Sequence, residues 1–94
     1  MIIREIVWLE NIIDKIERKH GVTMPEVRNV LCPSSHYRFI EKGCEPGEDV
    51  YGAFGRSTAG RYLVVFFILK TDGAALVISA RDMSRKERRY YEKT

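Results

Sequence analysis

The chemistry-bearing residues are concentrated at the C-terminal end of this 94-residue chain. Residues 81–94 hold six cations (Arg81, Arg85, Lys86, Arg88, Arg89, Lys93) against three carboxylates (Asp82, Glu87, Glu92). Residues 1–80 hold ten Lys or Arg and ten Asp or Glu, so the net charge of +3 resides entirely in this tail, where a polyanion is drawn. Arg81 and Arg85 are four positions apart, and a guanidinium fork takes anion oxygens in pairs. Arg61 stands at the start of the most apolar segment. His20 supplies an imidazole, the side chain that exchanges protons near neutral pH, with Lys19 beside it. Glu48 is the carboxylate best placed to act as a base. Cys32, His36 and Cys44 space as C-x3-H-x7-C, which matches no zinc pattern, and a fourth ligand would have to come from distant His20. The sequence therefore predicts ordinary thiols, no metal site and no cofactor. It also has no glycine-rich phosphate loop or nucleophile elbow, which argues against a plain metabolic enzyme.

These residues need elements to position them. Leu9, Ile12, Ile13, Ile16 and His20 recur at helical spacing, and Gly21 is a natural stop. Thr23-Met-Pro-Glu26 has capping-box form, with Val22 and Val27 able to close a hydrophobic staple, so a second helix begins there. Ahead of both, Ile2 to Trp8 reads as a short edge strand. From His36 the period becomes two. The sequence predicts strands at His36–Glu41, Asp49–Gly55, Arg61–Leu69 and Ala74–Ala80, with a turn at Thr71-Asp72-Gly73. Ser84-Arg-Lys-Glu87 is a second capping-box pattern, opening a last helix to about Lys93.

The order is strand, helix, helix, four strands, helix: a single α+β domain over residues 1–94. Two N-terminal helices and one C-terminal helix pack on a mainly antiparallel sheet of four to five strands. Tyr62 to Leu69 is apolar on both faces, as a central strand covered on both sides is. The first two helices cover one face. The last helix is small, so the other face is expected to be incompletely covered and to bury against a partner or a second copy. Tyr62 to Leu69 is also the longest apolar run, far short of the ~20 residues of a membrane-spanning helix. With no leader sequence at the N-terminus, the expectation is a soluble cytoplasmic protein.

Three segments together resemble the BrnT family of small bacterial toxins. They are Val7-Trp8 with Lys19-His20-Gly21-Val22; Gly47-Glu48-Asp49 with Ala53-Phe54-Gly55 and the strand from Arg61; and Ile78-Ser79-Ala80-Arg81 with Arg85-Lys86-Glu87-Arg88 and Tyr91-Glu92. The resemblance implies a RelE-like ribonuclease fold, metal-independent RNA cleavage, growth arrest, and a neutralising antitoxin with a ribbon-helix-helix DNA-binding part. Where the family's first helix carries polar residues, this chain has Leu9, Ile12 and Ile16, and Val50 replaces a common arginine.

Cutting RNA without metal requires a base for the 2′-hydroxyl, cations for the charged phosphorane, and an acid for the leaving oxygen. Arg81, Arg85 and Arg61 are the candidate cations. Antiparallel pairing across the Lys70–Gly73 turn is expected to bring Arg61 beside Arg81, so that the three converge. His20 and Glu48 are the candidate proton-transfer groups, with Lys19, Arg88, Arg89 and Tyr91 as candidate RNA contacts. The competing reading is a toxin-like binding module, for a partner protein or RNA, that does not cut.

Overall fold

The computed structural model describes residues 2–93. A short strand β1 (Glu5–Val7) leads into helix α1 (Glu10–His20) and helix α2 (Met24–Val30). Four strands follow, β2 (His36–Glu41), β3 (Val50–Arg56), β4 (Tyr62–Leu69) and β5 (Ala74–Asp82), and the chain ends in helix α3 (Arg85–Lys93). The sheet has the order β1-β5-β4-β3-β2. β1 runs parallel to β5, and the other pairs are antiparallel. The first strand is shorter than the apolar run from Ile2 predicts, because only Glu5, Ile6 and Val7 find partners on β5. β5 runs on to Asp82, two residues past its predicted end.

Helices α1 and α2 cover one sheet face. Leu63, Val65 and Phe67 of β4 are fully buried there with Val27 and Val30 of α2 and Ile16 of α1. Ile16, at a position the resemblance makes polar, is thus a core residue. Leu9 at the α1 N-cap offers no side-chain acceptor, whereas Gly21 closes the other end at φ 62°, a left-handed conformation open to glycine. α2 starts with the capping box the sequence predicts: Thr23 Oγ1 accepts from the Glu26 amide and the Thr23 amide donates to Glu26.

α3 lies on the opposite face. It covers Val64 and Phe54, with Tyr90 packed edge-on to Phe54. Phe66 and Ile68 on that face stay half-buried, and Ile40 on the open edge strand β2 is exposed. The cover is as incomplete as the size of α3 suggests. No helix among the described residues is long and apolar enough to cross a membrane.

The pairing of β4 with β5 is irregular at one point, and the irregularity decides where Arg81 lies. From the turn as far as Phe67↔Val77, the two strands pair in one register; beyond it Phe66 pairs with Ser79 and Val64 with Arg81. The extra residue, Ile78, is a β-bulge. A one-residue slip moves every later side chain to the other face. Without it Arg81 would sit opposite Leu63, on the α1–α2 side with Arg61. With it, Arg81 sits opposite Val64, on the α3 side.

Candidate functional site

The expected meeting of Arg61 and Arg81 therefore does not occur: both lie at the same end of the sheet, on opposite faces. Each is held by a capping-box glutamate. Arg61 extends over the α1–α2 turn. Its Nε and Nη2 donate to Asp82 (3.1 and 3.0 Å), Nη2 also to the His20 carbonyl (3.0 Å), and Nη1 to the Gly21 carbonyl (2.8 Å) and to Glu26 (3.2 Å). A guanidinium has five N–H groups, and all five are engaged. The Asp82 hydrogen bond holds its pKa above the ordinary value despite partial burial. Arg61 is a clamp joining the end of α1, the cap of α2 and the end of β5, and no N–H remains for a phosphate.

Arg81 is tied more lightly. Its Nη1 and Nη2 donate to the two oxygens of Glu87 (2.7 and 3.0 Å), and Nη1 also to the Asp82 carbonyl (3.1 Å). Two N–H groups, on Nε and Nη2, have no partner among the described residues, and the side chain is 36% exposed. Glu87 also caps α3: Ser84 Oγ accepts from the Glu87 amide, and the Ser84 amide donates to Glu87. The Arg81 hydrogen bond, outweighing burial, holds Glu87 down at about 2, ionised throughout the neutral range. Such a carboxylate orients a cation well and accepts a proton poorly.

Around Arg81 on the α3 face lie further cations. Arg85 opens α3, is exposed and makes no ion pair among the described residues. Arg88, one turn on, lies against the Tyr62 ring at 3.9 Å from its centroid, and Arg56 lies against the same ring at 4.5 Å. Tyr91 contacts Tyr62 edge-on, and His36 of β2 contacts Tyr91 edge-on at 5.0 Å between ring centroids. Arg89 is exposed on the helix. Arg56 escapes notice in the sequence because it sits in no motif, and His36 is weighed there only as a metal ligand with Cys32 and Cys44; strand pairing, His36↔Phe54 and Phe54↔Val64↔Arg81, puts His36 in the same row as Arg81.

The remaining candidates separate. His20 and Lys19 are exposed at the C-terminus of α1, on the Arg61 side of the same corner. Through Arg61 Nη2 the His20 carbonyl is linked to the carboxylate of Asp82, the residue after Arg81. Glu48 is not at this corner. It precedes β3, whose Val50 pairs with Ile68, while Arg56 pairs with Tyr62 at the far end. Six residues at ~3.3 Å each place Glu48 about 20 Å away, which rules out proton transfer at the arginines. The obstacle is strand direction: Gly47-Glu48 enters β3 at the end where β4 leaves. No cluster of three or more His, Cys, Asp or Glu is placed to hold a metal among the described residues.

The fold is similar to the 1.1 Å crystal structure of the Brucella abortus ribonuclease toxin BrnT, with a TM-score of 0.62 at 22% identity, covering 86% of this chain and 97% of that one. No curated protein sequence matches the chain. A family model described as "Ribonuclease toxin, BrnT, of type II toxin-antitoxin system" matches residues 8–87. With that model spanning most of its length, the chain belongs to the BrnT family of toxins of type II toxin–antitoxin systems.

Proposed function

We propose that the chain is an endoribonuclease toxin that cleaves RNA with its own side chains, without a metal, and so arrests translation and growth. The observation that carries this reading is the α3-face corner, where Arg81 keeps two N–H groups uncommitted and exposed Arg85 opens the helix that follows. Arg81, aimed by Glu87, is the cation for the phosphorane. Arg85 adds a second guanidinium in the first turn of α3, where free amides also favour an anion. We assign proton transfer to His20, exposed at the same end of the sheet on its Arg61 side, with Lys19 on the incoming strand. Arg88, Arg89 and Tyr91 contact flanking nucleotides along α3. The test is cleavage of RNA by purified protein in chelator. Wild type cuts and Arg81→Ala is strongly impaired; equal cleavage by both removes Arg81 from the site.

A specific observation favours a second reading, binding without cutting. Two of the five residues expected to carry chemistry, Arg61 and Glu48, are respectively saturated and remote. Salt-sensitive RNA binding with no cleavage and no growth effect decides for it.

Membership of a type II family implies an antitoxin. We propose that this partner carries a ribbon-helix-helix part and covers the arginine corner, or the β2 edge beside it, with an acidic or amphipathic segment. Half-buried Phe66 and Ile68 and exposed Ile40 support burial of the α3 face in a homodimer or a 2:2 complex.

A further inference from the structure

Between the β3–β4 turn and α3 lies an open cleft of about 500 Å³, walled by Arg56, Arg61, Tyr62, Asp82 and Arg88. We infer that it is a phosphate subsite for single-stranded RNA, in which Arg56 and Arg88 grip a phosphodiester flanking the one at Arg81. This inference rests on the part of that reading that makes RNA the ligand, and names a place where its backbone is held.

Three observations carry it. The first is the balance of donors and acceptors. Asp82 is bound by Arg61 through both oxygens, so it does not neutralise the other two cations. Arg56 donates only to the Gly60 carbonyl, at 3.3 to 3.4 Å, and makes no ion pair among the described residues. Arg88 has one carboxylate nearby, Glu92, at 4.0 Å, which also accepts from the Tyr62 hydroxyl at 3.4 Å. Two guanidiniums thus keep strong donors while facing a common space.

The second is preorganisation. Both guanidiniums rest on the Tyr62 ring, which reduces the rotamer freedom lost when an anion arrives. The β3–β4 turn is shaped for the same contact. Gly60 has φ 90°, and a Cβ there would stand 3.1 Å from Arg56 Nη2. The positive φ favours glycine there, and a Cβ would push the Arg56 tip by a few tenths of an ångström.

The third is continuity. Arg85 and Arg88 are three residues apart on α3, neighbours on one helix face with a rise of ~4.5 Å between them, a distance comparable with one nucleotide step. Arg85, Arg88 and Arg56 gather cations at this end of the sheet, while Arg81 lies over Phe66 (5.3 Å from the ring centroid), four residues along β4 from Tyr62. With Tyr62 occupied by the two guanidiniums, Tyr91, edge-on to it, is the aromatic surface for a splayed base. An acidic peptide would have no use for that surface, so RNA is the favoured occupant.

The test uses a single-stranded oligonucleotide with 2′-O-methyl riboses, whose blocked hydroxyl prevents cleavage, followed by fluorescence anisotropy against salt. The variant is Arg56→Gln with Arg88→Gln. The control is Lys86→Gln with Lys93→Gln, which removes the same charge from exposed positions that do not line the cleft. The cleft variant is expected to bind about tenfold more weakly, with a salt slope shallower by about 0.7 for the one lost phosphate contact. The control changes affinity less than threefold. With a cleavable RNA the cleft variant raises KM and leaves kcat near wild type. Equal effects of the two variants overturn the inference, as does wild-type protein that binds no RNA. Loss of antitoxin binding with RNA affinity intact also overturns it and gives the cleft to the partner protein. A wild type that binds the oligonucleotide but never cleaves RNA defeats the nuclease reading and leaves the subsite standing. Intact cleavage with unchanged binding by the cleft variant defeats the subsite alone.

Discussion

Two arginine clamps at one end of the sheet are built to the same plan. In each, a capping box (Thr23 with Glu26, Ser84 with Glu87) supplies a glutamate that also holds a strand-end arginine, Arg61 in one case and Arg81 in the other. They differ in how many N–H groups are left. Arg61 meets two carboxylates and two helix-end carbonyls, while Arg81 meets one carboxylate and one carbonyl. The first fastens α1 and α2 to the sheet over a filled core. The second fastens an amphipathic helix with no fully buried residue and keeps part of its fork open. A basic motif position is therefore weak evidence for ligand contact until its donors have been counted.

The largest separation of the clamps should appear in catalysis. Arg81→Ala is expected to lower the cleavage rate by about 10²-fold or more, the scale of losing one preorganised charge-stabilising donor. Cleavage rates measured well below the melting temperature check this, and a loss under threefold would break the distinction.

Stability should show the reverse order. Arg61→Met removes six hydrogen bonds and leaves Glu26 without its cation, and is expected to cost about 2 kcal/mol. For a domain of this size that is a fall in Tm of about 10 °C, read by thermal denaturation. Arg81→Met should lower Tm by less than half as much.

Acid sharpens the comparison further. Glu87 sits at about 2 in the folded protein, below the ordinary 4.5, because Arg81 hydrogen-bonds its ionised form. Its contribution is therefore fully present above pH 5 and is lost as pH falls toward 2. With Arg81 36% exposed and the pair screened by solvent, roughly 1–2 kcal/mol is expected. Glu87→Gln should make stability flatter between pH 5 and 2 in urea titrations.

The smallest contrast concerns the caps themselves. Thr23→Ala should cost about 1 kcal/mol of global stability, because α2 buries Val27 and Val30. Ser84→Ala should fray α3, seen as faster amide exchange there, with under about 0.5 kcal/mol lost globally.

Much of this frame is legible from residue order. Gly21 ends α1, both capping boxes form, and β2 has the bounds its period implies. Those signals are local, set by backbone and near-neighbour chemistry. What stays hidden is non-local. Pairing counted from the Lys70–Gly73 turn puts Arg61 and Arg81 on one face, and only the bulge at Ile78 separates them. Nothing in the local pattern announces that bulge. Likewise, Glu26 and Glu87 read as cap residues, but their second role depends on a strand that folds against them from 35 residues away in one case and six in the other. Glu48 misleads for a simpler reason: its loop lies at the opposite end of an antiparallel strand.

The most direct measurement is the affinity of Arg61→Met and Arg81→Met for the 2′-O-methyl oligonucleotide, side by side, at a temperature where both are folded. Arg81→Met should bind at least fivefold more weakly than wild type, and Arg61→Met within twofold of it. A folded Arg61→Met protein that loses RNA while Arg81→Met retains it would contradict the assignment of the two clamps.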